Sequence, residues 1–109
     1  MRLIADYDPA VPFILTGDFN CPPHGEVHGM LTGLLSDAWL TALDRRGPET
    51  TVHGFGKFEG RRIDWVLYRG NESPVVVETV TTTKYGLYPS DHFPVLAAFD
   101  LEKHHGLVR

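Results

Sequence analysis

The sequence predicts an α+β domain in which one mostly antiparallel sheet carries helices on one face. Three observations point there. A short apolar run comes first, at 11–16; helical spacing of apolar residues follows over 25–43; and from Thr50 onward the pattern is β, punctuated by glycine. A strand, then helices, then four strands is not the βαβα alternation of a parallel sheet.

The first run, Val11 to Thr16, has apolar residues at consecutive positions, so both faces are covered and a central, buried strand is expected. Gly17 ends it, and Cys21-Pro22-Pro23 forces an extended loop because each proline removes a donor and restricts its predecessor. From Gly25 to Leu35, the spacing of Val27, Met30, Leu31, Leu34 and Leu35 predicts an amphipathic helix with His24 and His28 facing solvent. Ser36-Asp37 ends this helix and caps a second helical turn, Ala38 to Leu43, with Trp39 towards the core.

Gly47-Pro48 breaks the chain, and Thr50 to Phe55 is expected to begin a β-branched and aromatic strand. Arg62 to Tyr68 is the next strand, with Ile63, Trp65 and Leu67 on one face and Asp64, Val66 and Tyr68 on the other. Val75 to Thr83 and Val95 to Leu101 complete the set.

At 109 residues and 42% hydrophobic, the chain is expected to form a single domain, residues 1–109, with one modest core. A formal charge of −4 supplies no general basic footprint for nucleic acid. The lone Cys21 rules out an intramolecular disulfide and a Cys-rich zinc site. No signal peptide or membrane-length apolar run is visible, so the cytoplasm is the default compartment. His104-His105 reads as a frayed tail.

Three polar motifs sit where apolar runs begin, end or turn: Gly17-Asp18-Phe19-Asn20, Arg62-Ile63-Asp64-Trp65 and Ser90-Asp91-His92-Phe93-Pro94. Asp64 is the anomaly among them. A carboxylate on a strand face with Val66 and Tyr68 needs a partner. His92, on a tight loop before the last strand, is the best candidate; Arg61, Arg62 or a turn cap are the alternatives. Asp18 at a strand end can hold a metal or align a water, and it can equally form an Asx turn into the proline loop. Asn20 can donate to a phosphate oxygen or serve the same turn.

Taken in order, the three motifs closely resemble those of the endonuclease/exonuclease/phosphatase superfamily, the deoxyribonuclease I-like metal-dependent phosphoesterases. The resemblance runs from about Val11 to Leu101 and matches the C-terminal half of the family pattern. It implies half of a four-layer α/β/β/α sandwich and hydrolysis of phosphodiesters or phosphomonoesters beside Mg2+ or Mn2+. Carried over residue by residue, it implies that Asp18 aligns or deprotonates the attacking water and that Asn20 bonds the scissile phosphate. His92 would stabilise charge on a phosphate oxygen, Asp64 would orient His92, and Asp91, with Asp18, would lie at the metal. His53 and Phe55 would border the leaving group.

The resemblance further implies weak metal binding, because none of Glu26, Glu49, Glu59, Glu72 or Glu78 lies in the family's glutamate motif. A sheet face left uncovered by half a sandwich predicts a homodimer, or a separate first half. The acidic balance and short loops favour small phosphoesters or lipid headgroups over long nucleic acid as substrate. The competing class is a non-catalytic phosphate-binding or assembly module that retains the motifs.

Overall fold

A computed structural model describes residues 11–56 and 60–101; the His104-His105 tail lies outside them. The fold is α+β. In chain order its elements are β1 (Phe13–Asp18), α1 (Glu26–Thr32), β2 (Ser36–Asp37), α2 (Ala38–Thr41), β3 (Asp44–Arg46), a 3₁₀ turn (Gly54–Gly56), β4 (Asp64–Arg69), β5 (Glu72–Thr79) and β6 (Val95–Leu101). The strands divide between two three-stranded ladders, ordered β1-β4-β2 and β3-β5-β6. All pairings are antiparallel except β3 with β5.

β4 is the hinge of the architecture because both of its faces are used. Trp65 and Leu67 point to one side and join Leu31 and Leu35 in a buried cluster, with Leu15, Phe19 and Cys21 packed against it. Phe19 stacks on Trp65 at 4.5 Å between ring centroids. The opposite face carries Val66 and Tyr68, which pack with Val95, Ala97 and Phe99 of β6 around Ala38, Ala42 and Val77. The expected alternation of β4 and β6 is therefore the device that layers helix, first ladder and second ladder.

Four expectations are corrected. β1 is an edge strand among the described residues, not a central one: β4 pairs with it on one side, and Ile14 is 52% exposed. Thr50 to Phe55 is not a strand. The N–H groups of Thr51 and Val52 go to the Arg61 carbonyl and those of His53 and Gly54 to the Asp91 carbonyl, and Phe55 adopts φ 59°, so no regular ladder continues. The long strand runs from Glu72 to Thr79, not from Val75 to Thr83. Of the expected apolar face at 25–35, Leu31 and Leu35 are buried but Val27, Met30 and Leu34 are exposed, and His28, expected in solvent, is buried at 3%.

His28 is buried because it has partners. Its Nδ1 accepts the His24 N–H at 3.0 Å, and its Nε2 lies 2.7 Å from Asp37 Oδ2. Asp37 also caps α2 by accepting the Trp39 N–H through Oδ1 at 3.0 Å. Arg62 NH1 donates to the same Oδ1 at 3.1 Å, while NH2 approaches Oδ2 at 2.9 Å as an ion pair without hydrogen-bond alignment. Arg62 Nε then reaches Glu49 at 3.1 Å. This buried cluster ties α1, β2 and the start of β4 together.

Gly47 shows how closely the second ladder is packed. It has φ +81°, and a Cβ there would lie 2.2 Å from the Thr79 carbonyl oxygen. Gly47→Ala is expected to cost about 2 kcal/mol, from the left-handed backbone together with the clash. Urea denaturation followed by circular dichroism reads it.

Candidate active site

The register of β1 on β4 places Asp18 directly opposite Asp64, on the face shared by Ile14, Thr16, Val66 and Tyr68. Two carboxylates set side by side on one face repel unless a cation or donor lies between them. His92 fills that position. It stands two residues before Pro94, where the loop enters β6, and its backbone N–H is held by Ser90 Oγ at 3.1 Å. Its Nδ1 is 2.8 Å from Asp64 Oδ2, and its Nε2 is 3.6 Å from Asp18 Oδ2. The first distance is a hydrogen bond; the second is beyond one and leaves Nε2 facing the open side.

This geometry raises the His92 pKa above its ordinary value. The hydrogen bond to Asp64 is the largest cause; partial burial, next in size, opposes it, and the charges of Asp64, Asp18 and Asp91 add to the rise. The ring nitrogen bonded to Asp64 is thereby the proton-bearing one, and Nε2 is the atom free to act. A cleft of about 410 Å³ opens over these groups, lined by Asp18, Asp64 and His92 with Thr16, Val66 and Phe93.

Asp18 forms the expected Asx turn and still keeps one oxygen towards the cleft. Its Oδ1 accepts the Asn20 N–H at 2.9 Å, an Asx turn, while Oδ2 faces His92. Asn20 is exposed, does not line the cleft, and has φ 54°, a conformation that asparagine tolerates. Among the described residues, Asp18, Asp64 and His92 form a group whose ligand atoms lie within 4.8 Å of one another. Asp91 is outside that group; its backbone carbonyl holds the His53 and Gly54 N–H groups. His53 is buried and stacks on Phe93 at 4.3 Å, its Nδ1 accepting the Phe55 N–H. Phe55 is exposed, and neither it nor His53 lines the cleft.

The cap role of Asp37 was foreseen from the sequence, but its pairing with His28 and Arg62, the burial of His28 and the role of Thr51 were not. Thr51 is fully buried, and its hydroxyl binds the backbone on either side of Asp64's strand entry. Its only sequence signal was its place beside the β-branched run. Among the described residues no helix is long and apolar enough to cross a membrane.

The family model for the endonuclease/exonuclease/phosphatase family matches residues 2–92. Solved structures agree with it. An endonuclease/exonuclease/phosphatase from Bacteroides vulgatus superposes with a TM-score of 0.78 at 27% identity, covering 85% of this chain. A conserved protein of unknown function from Enterococcus faecalis gives 0.74 at 30% identity over 91% of this chain. A mannosyl-6-phosphatase from Bacteroides thetaiotaomicron gives 0.72 at 25% identity over 84%. The chain spans only 38% of the length of each of these three. Comparison with curated protein sequences gives no match. The family match covers most of the chain, the fold agrees with family structures, and the three motifs meet in one cleft; the chain belongs to the endonuclease/exonuclease/phosphatase family.

Proposed function

We propose that this chain contributes the C-terminal half-site of a divalent-metal-dependent phosphoester hydrolase, as one domain. The observation that carries this reading is the alignment of Asp64, His92 and Asp18, with distances of 2.8 and 3.6 Å. In this role Asp64 holds the ring, and His92, as the imidazolium that its raised pKa favours, presents Nε2–H to a non-bridging phosphate oxygen. Asp18 takes the proton of an attacking water through Oδ2, while Asn20 donates its amide to the phosphate. These groups act by orientation and by charge complementarity with a pentavalent phosphorus centre.

The donor set fits a loosely held hard cation. Mg2+ is commonly bound through one or two carboxylates, with water and phosphate completing its shell. Asp18 would be its principal ligand, since Asp64 is engaged by His92, and Asp91, which lies outside the Asp18–Asp64–His92 group, would act on the ion through water. When bound, the ion would neutralise phosphate charge and lower the pKa of a water.

A small phosphoester is the preferred substrate class. The mannosyl-6-phosphatase among the similar structures and the acidic balance of this chain support it. The test is hydrolysis of p-nitrophenyl phosphate and its diester with Mn2+. Asp18→Ala and His92→Ala are each expected to lower the rate on the order of 10²-fold or more. Activity that survives both substitutions would overturn the assignment; absence of activity in every form, wild type included, would favour a phosphate-binding module.

A homodimer accompanies this reading. Ile14, 52% exposed on the same face as Asp18 and the cleft-lining Thr16, is apolar surface left uncovered among the described residues. A second copy would cover it through a two-fold contact. Light scattering is expected to give twice the chain mass, and a stable monomer at micromolar concentration would count against the dimer.

A further inference from the structure

The pairing of Asp64 with His92 joins two segments with no regular ladder between them, so something else must fix their separation. We propose that Thr51 is the positioning residue of the site: its hydroxyl and its carbonyl together set Asp64 against His92. The hydroxyl uses its whole hydrogen-bonding capacity on the entry to β4. It accepts the Ile63 N–H at 3.0 Å and the Asp64 N–H at 3.1 Å, and donates to the Arg61 carbonyl at 3.2 Å. The Thr51 carbonyl accepts the Phe93 N–H at 2.7 Å, one residue beyond His92.

The residues that follow extend the same bracket. Val52 forms an isolated bridge with His92, and the His53 and Gly54 N–H groups bind the Asp91 carbonyl. One buried residue thus grips the backbone at Asp64 on one side and the backbone next to His92 on the other. Thr51 touches neither the cleft nor a reacting atom; it acts through the two residues that do. A valine of nearly the same shape would leave two N–H groups without their acceptor, and the β4 entry would have to shift to find another.

The inference rests on the proposed reading only in giving the pair a catalytic use. Its test reads the imidazole and not turnover, so failure of either is separately visible. In the full chain at alkaline pH, where the His92 ring is neutral, ¹⁵N spectra report which ring nitrogen bears the proton. Wild type is expected to hold the Nδ1–H form. Thr51→Val is expected to lower the ratio of Nδ1–H to Nε2–H roughly tenfold, the scale of one hydrogen bond to a charged group. Thr51→Ser, which keeps the hydroxyl, is expected to restore the wild-type ratio.

Leu31→Ala, a core truncation in the other cluster, controls for destabilisation alone and is expected to leave the ratio unchanged. If Thr51→Val fails to fold, Thr51→Cys takes its place, its thiol being a weaker acceptor in the same position, and an intermediate ratio is expected. A wild-type ratio in Thr51→Val or Thr51→Cys, or an equal shift in Thr51→Ser or Leu31→Ala, would overturn the proposal.

Discussion

Asp37→Ala is expected to remove most of the stability of this chain. Asp37 is almost wholly buried and does three things at once: it pairs with the Arg62 guanidinium, accepts the α2 cap bond from Trp39, and holds His28 Nε2. Deleting one member of a buried ion pair leaves the other charge without compensation and costs about 3–5 kcal/mol. Loss of the cap adds about 1 kcal/mol. Set against a whole-domain stability of about 5–15 kcal/mol, a loss of about 4–6 kcal/mol takes most of the stability of a domain at the lower end of that range.

The size of that effect does not mean the cluster is strongly stabilising in itself, because two desolvated charges offset much of their own attraction. The double variant Asp37→Leu with Arg62→Met is therefore expected to lose less than either single substitution. Glu49→Gln, at the exposed end of the chain of charges, is expected to change stability by at most about 1 kcal/mol. Guanidinium denaturation across the set decides the matter. A single-variant loss no larger than that of Glu49→Gln would show that the buried pair is not what holds β2 to the β4 entry.

The same cluster marks the limit of what the sequence made legible. The Asp64–His92 pairing could be inferred because an acid stranded among Val66 and Tyr68 on a strand face demands a partner, and His92 was the best placed. The strand–helix–strand order and the two-faced character of β4 were readable from periodicity. The His28–Asp37–Arg62 group was not. Its members come from three elements, 9 and 25 positions apart, and an imidazole on an apolar helix face carries no label that says it will be buried. The helix then rotates to bury His28 with Leu31, leaving Val27 and Met30 outside.

β1 and the Thr50–Phe55 segment failed for different reasons. Consecutive apolar residues in β1 identify a strand suited to cover on both faces, but whether a layer lies over Ile14 is set by what packs there. In Thr50–Phe55 the composition is β-like, yet its N–H groups are claimed by two carbonyls, those of Arg61 and Asp91, in separate segments. β propensity describes a fit to a pleated surface and says nothing about a segment recruited as a bracket.

Asp64→Asn is expected to be the most damaging conservative substitution in the cleft. It removes the ring's hydrogen bond to a full carboxylate, the chief cause of the raised His92 pKa, so that pKa should fall back towards its ordinary value near 6.5. The amide can also turn its NH2 towards Nδ1, which would keep a proton on Nε2 but hold the ring neutral, so the positive charge facing the phosphate is lost. A loss on the order of 10²–10⁴ in hydrolysis is expected here.

The sign of the stability effect follows from the same shift. A histidine whose folded pKa lies above its unfolded value contributes its full stabilisation below about pH 6.5 and loses it as pH rises through the raised value. Wild type should therefore lose some stability across that window as pH rises, and Asp64→Asn should show little change over it. Because His92 is partly solvated, the effect will be modest. Titration of the His92 ring by NMR, with denaturation at a pH on each side of the window, measures both. A pKa that stays raised in Asp64→Asn would mean that Asp18 and Asp91, the other two charges facing this ring, hold its proton, and that Asp64 serves the site by geometry alone.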